Sequence, residues 1–158
     1  MAAVGRSYIL PEATLRLVRE AATPRKRLLR GTEDEFWGVL ERESVGSVEY
    51  EWSGYVLATL LSYLKEQGID LMGADDETST HLTQARHAST FILTPDQREQ
   101  YLDRLDPSRF EGSLLRRYYE EFNETQADGV DAAMLDGIAF FRETLSRLDG
   151  LRALFISS

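Results

Sequence analysis

From Tyr55 to Leu64 the chain reads Tyr-Val-Leu-Ala-Thr-Leu-Leu-Ser-Tyr-Leu, with Thr59 and Ser62 its polar interruptions and no charge. At helical spacing Trp52, Val56, Leu60 and Leu64 fall on one line, Tyr55 and Tyr63 flank it, and Leu57 and Leu61 lie opposite. An apolar surface that wraps nearly all round belongs to a helix buried among other elements. The run is well short of the ~20 apolar residues a membrane span needs. Gly68 follows where a left-handed C-terminal cap belongs. This stretch, 52–67, predicts a central buried helix.

Read in order, Pro11 to Ala22 predicts a first helix, with proline near the start and Thr23-Pro24 as its stop. Thr32 followed by Glu35 has the capping-box spacing and predicts a helix from Glu33 to about Glu43. Residues 45–52 are ambiguous. Val48, Tyr50 and Trp52 alternate with Glu49 and Glu51 as in a half-buried strand, yet Val45, Val48, Trp52 and Tyr55 also fit a helix entering the central one. With no convincing partner strand nearby, the helix or a loop is the reading taken. Ile69 to Gly73 predicts a loop with apolar anchors. Asp75-Asp76-Glu77 begins a helix over about 78–89, where carboxylates complement the dipole. Residues 90–94 have strand composition but are short. Thr94, Pro95 and Gln97 mark a helix start. Ser113 to Glu124 carries Leu114, Tyr118 and Phe122 at four-residue spacing, and Asp131 to Asp149 is the clearest amphipathic helix, with Met134, Ile138, Phe141, Leu145 and Leu148 on one side. Leu151 to Ile156 is an apolar tail that must pack, or serve as the contact of a homo-oligomer.

The resulting expectation is an all-α fold: a single domain of 158 residues built as a bundle of about six or seven helices, with room for one minor pair of short strands. Cysteine is absent, which excludes disulfide frameworks, thiolate zinc sites and cysteine nucleophiles, and is compatible with the cytoplasm. Met1 to Pro11 has no apolar core of a secretory signal.

Charge is unevenly spread. Residues 1–30 hold seven cations against two glutamates, +5, which leaves −14 on residues 31–158 of a chain whose net charge is −9. A basic N-terminal segment, with Arg25-Lys26-Arg27-Leu28-Leu29-Arg30 at its end, is therefore expected on or beside an acidic body. That run lacks the interleaved aromatics of a nucleic-acid site and the large apolar residues of a membrane anchor.

Motifs for chemistry are scarce. There is no GxGxxG, no GxxxxGK[ST] and no GxSxG. His81 and His87, the two histidines, are six apart and fall on different helix faces. Asp75-Asp76-Glu77 invites magnesium, but no second acidic cluster has matching spacing, so neither metal nor cofactor is expected. Trp37, Trp52, Tyr118 and Tyr119 read as core.

Two functional expectations follow. The first is a non-catalytic, cytoplasmic protein-binding module in the style of small acidic inhibitors and immunity proteins, meeting a basic protein and neither nucleic acid nor membrane. Its candidate binding residues are Glu33, Asp34, Glu35, Glu120, Glu121 and Glu124, within an acidic surface that also takes in Glu41, Glu43, Glu49, Glu51 and Asp128. The alternative is a small enzyme or ligand-binding bundle with its site at residues 70–91, using Asp75, Asp76, Glu77, His81, Arg86 and His87.

Overall fold

In the computed structural model, which describes residues 4–28 and 31–157, a four-stranded antiparallel sheet lies between two layers of helices. In chain order the elements are β1 (Val4–Pro11), α1 (Leu15–Ala21), β2 (Arg25–Arg27), β3 (Gly31–Glu33), α2 (Phe36–Glu43), β4 (Gly46–Ser53), α3 (Gly54–Glu66), α4 (Asp76–Arg86), β5 (Ser89–Leu93), α5 (Pro95–Tyr101), α6 (Gly112–Asn123), α7 (Val130–Ser146) and β6 (Leu151–Ser157). The sheet order is β4-β1-β6-β5, and β2 pairs with β3 in a separate two-stranded ladder. The all-α helical bundle is therefore corrected to a mixed α/β fold.

The strands explain the miss. β1 is flanked by β4 and β6, with Arg6 opposite Glu49 on one side and Ile156 on the other. Tyr8 and Leu10 point to one helical layer and Ile9 to the other, so three apolar residues run consecutively. A strand covered on both faces loses the alternation by which strands are read. The same holds for β6, where Leu154 and Ile156 face one layer and Ala153 and Phe155 the other. The apolar tail is an interior strand. Residues 45–52, read as helix or loop, fall largely in β4, whose partner lies some forty positions earlier in β1. Residues 90–94 fall largely in β5, which pairs with β6.

One layer holds α1, α2 and α4, which bury Val18, Phe36, Leu40 and Leu82 against Tyr8, Leu10, Ile92, Leu154 and Ile156. The other holds α3, α5, α6 and α7. Here Phe91 stacks on Phe155 with ring centroids 4.6 Å apart, and Phe140 and Phe141 close over them from α7. α3 buries Val56, Leu57, Leu60, Leu61 and Leu64, as the central stretch predicted, but Tyr55 and Ala58 face outward and Trp52 belongs to β4. α3 and α7 meet at Gly137, where a Cβ would sit 2.6 Å from Leu60 Cδ2 and 3.1 Å from Leu57 Cδ2. No side chain larger than hydrogen fits that crossing without a shift.

Caps account for the helix ends. Gly68 takes a φ of 82° just past α3, as expected. Thr94 and Gln97 form a reciprocal capping box on α5, and the Gln97 amide also donates to the carbonyls of Asp70 and Leu71 at 3.1 Å, which anchors the loop after α3. The Thr32–Glu35 box does not form: Thr32 lies in β3, and the Phe36 amide donates to Asp34 Oδ1 at 3.2 Å. Residues 4–28 supply the sheet's second strand, α1 and β2. In the basic run Arg25 pairs in register with Glu33 and Lys26 with Thr32, while Leu29 and Arg30 lie outside the described residues. No helix among the described residues is long and apolar enough to cross a membrane.

Candidate functional site

Four of the six residues of the 70–91 candidate site, Asp75, Glu77, His81 and Arg86, enter contacts that hold α4 in place. Asp75, at φ 48°, accepts from the Thr78 amide at 3.2 Å and caps the helix, while Asp76 and Glu77 occupy its first turn. Glu77 pairs with Arg19 of α1 at 2.8 Å, and His81 Nε2 lies 3.2 Å from the Arg19 carbonyl oxygen. His87 sits past the end of α4 at φ 51°, off the helix that was to carry both histidines. Among the described residues no group of three or more His, Asp and Glu could hold a metal ion.

Arg86 is the best-embedded charge of this set, with its side chain only 10% exposed. It donates to both carboxylate oxygens of Asp34, at 3.0 and 2.8 Å, and to the Ala22 carbonyl at 3.0 Å. Its guanidinium lies over the ring of Phe36, 4.3 Å from the centroid, and near Trp37 at 5.7 Å. Hydrogen bonds from Arg86 hold the Asp34 carboxyl below its ordinary pKa, aided by the Phe36 amide. This cluster ties α1, α2 and α4 together.

The six acidic candidates do not converge. Glu33, Asp34 and Glu35 lie in β3 and at the start of α2, in one layer. Glu120, Glu121 and Glu124 lie on α6 and at its end, in the other. Glu120 and Glu121 pair with Arg116 and Arg117 one turn earlier, at 3.3 and 3.0 Å. Such exposed pairs each contribute little to stability. Glu35 and Glu124 are exposed.

A denser set of carboxylates forms where β4 meets α7. β4 alternates, Val48 and Tyr50 inward, Glu49 and Glu51 outward. α7 crosses beside it with Asp136, Ala139 and Glu143 exposed at positions three and four apart. Between them runs a cleft of about 290 Å³ with Tyr50 and Phe140 in its floor. The Tyr50 hydroxyl donates to the Ala133 carbonyl at 2.7 Å, and burial pushes its pKa well above the ordinary tyrosine value, with Asp136 adding to the effect. Trp52, 40% exposed at the end of β4, donates from Nε1 to Asp136 Oδ2 at 2.8 Å. Glu49 pairs with Arg6 across the ladder, and Glu143 with Arg147 at 2.7 Å. Glu51 and Asp136 have no ion-pair partner among the described residues. Four carboxylates, two on each face of β4, thus stand along this edge against Arg6 and Arg147.

The two glutamates of β4 were visible in the sequence within the broad acidic surface. Asp136 and Glu143 were not singled out, because only the pairing of β4 with the flank of α7 brings them alongside. Comparison with protein-family models, with curated proteins and with solved structures finds no match for this chain.

Proposed function

We propose that this chain is a cytoplasmic, non-catalytic protein-binding module, inhibitor- or immunity-like, that engages a basic protein partner. The observation that carries the proposal is the acidic edge formed by β4 and α7, where Glu49 and Glu51 extend from one face of an exposed strand and Asp136 and Glu143 of α7 lie beside the other. A net charge of −9 adds a long-range field that speeds encounter with a cationic surface and makes the association salt-sensitive. The rival site at residues 70–91 gains no comparable support, because Glu77 and Arg86 are engaged with Arg19 and Asp34.

The test is capture from the native host's lysate at low salt, run in parallel with the wild-type chain and a Glu51→Lys, Glu143→Lys variant. A single basic protein recovered in near-equal amount, released by a salt step and lost with the variant, supports the proposal. A partner held equally by both chains, or one that is acidic, overturns it.

A further inference from the structure

The two edges of the sheet are treated differently. At the β5 edge the Thr83 hydroxyl of α4 accepts from the Thr90 amide at 3.2 Å and donates to the Thr90 carbonyl at 3.0 Å, so a side chain takes the place of a neighbouring strand. β4, at the other edge, is eight residues long and pairs only with β1 among the described residues. Among the described residues, the side-chain hydrogen bond to its backbone is a long one, from Arg147 to the Ser47 carbonyl at 3.5 Å. An edge of this length presents a row of backbone donors and acceptors that an extended chain can complete.

We infer that the outer edge of β4 takes up a Lys/Arg-rich extended segment of the partner as a fifth strand of the sheet. This inference rests on the proposed binding of a basic protein and specifies how that protein is held. A strand laid beside β4 brings alternate side chains next to Glu49 and Glu51, where opposite charges across a ladder are favourable. Its other face lies toward α7, where a long cationic side chain packs its stem on Ala139 and Phe140 and reaches Asp136 or Glu143. Backbone hydrogen bonds give the affinity and the carboxylates choose the sequence. A second copy of this chain is disfavoured as occupant. Edge-to-edge pairing would set the glutamates of one β4 against those of the other, and like charges directly opposite are destabilising.

The experiment uses three synthetic peptides on the full chain at low salt: an alternating Lys-Val heptapeptide, the same peptide N-methylated at every lysine, and the same peptide N-methylated at every valine. Alternate residues of a strand direct their amides to opposite edges, so strand addition tolerates one methylated form and rejects the other. Binding of the unmodified peptide is expected to slow amide exchange in β4. One methylated form is expected to lose at least about ten-fold in affinity while the other keeps it, and Glu51→Lys to weaken the unmodified peptide by about ten-fold.

Equal binding of all three peptides overturns strand addition and leaves the acidic surface as a purely electrostatic binder. Failure of every peptide, while the captured protein still depends on Glu51 and Glu143, overturns the strand and leaves the binding module standing. Failure of every peptide with no basic protein captured overturns both.

Discussion

Arg86 grips Asp34 with two parallel hydrogen bonds, Nη1 to Oδ1 at 3.0 Å and Nη2 to Oδ2 at 2.8 Å, across 52 positions of sequence. In the sequence the two residues belong to rival candidate sites. Their union is a clamp on the layer formed by α1, α2 and α4.

Arg86→Ala is expected to lower stability by about 2 kcal/mol, from charged hydrogen bonds and the lost stacking on Phe36. The figure is held to the low end because the Asp34 side chain is 38% exposed. Arg86→Lys should recover less than half of the loss, since an ammonium neither forks onto a carboxylate nor stacks as a plane. Urea unfolding monitored by tryptophan fluorescence measures both.

The same contact sets a pH dependence. Hydrogen bonds from Arg86 lower the Asp34 pKa in the folded state, so between the folded and unfolded values the unfolded chain binds more protons. The stabilisation is complete above about pH 4 and is lost as pH falls through the folded value. Thermal midpoints of the wild type and Asp34→Asn, scanned from neutral to acid, should converge below about pH 4. A constant gap throughout would rule this linkage out.

Gly137→Ala places a methyl group 2.6 Å from Leu60 Cδ2, against a side chain that is fully buried. Overpacking costs about 1–3 kcal/mol, and the better helix propensity of alanine offsets roughly 0.5–1 kcal/mol of it. A net loss of about 1–2 kcal/mol is expected by chemical denaturation. Leu60→Val in the same background should restore part of it by shortening the opposing side chain.

Thr83→Val preserves shape and removes the hydroxyl that serves both backbone groups of Thr90. A loss of about 1–2 kcal/mol is expected, with faster exchange of the Thr90 amide. Amide exchange followed by NMR distinguishes opening of the β5 edge from general destabilisation, which would speed exchange across the core as well.

Much of the helical part of this fold can be read locally. The apolar face of α7, the Thr94–Gln97 box and the turn at Gly68 are each written within a few neighbouring residues. The sheet is written differently. Tyr8-Ile9-Leu10 carries no alternation because both faces of β1 are covered, and β4 does alternate but finds its partner only in a distant segment. Acidic character was equally plain, yet not its pattern of engagement. Nothing local distinguishes Asp34, held by Arg86, from Glu51, which has no ion-pair partner among the described residues. That difference arises only when elements far apart in sequence are packed.

The pairing of β1 with β6 joins Gly5 to Ser157. During synthesis β1 must therefore wait for β6, a delay on the order of ten seconds at ordinary elongation rates. Until then β1 and β5 lack the strand that separates them in the finished sheet, and their apolar faces have no complete core to enter. The native topology is closed to any ribosome-bound chain whose β6 is still inside the exit tunnel. Until β6 has emerged such a nascent chain is exposed to misassociation, and that seven-residue strand then joins β1 and β5 into one cooperative sheet.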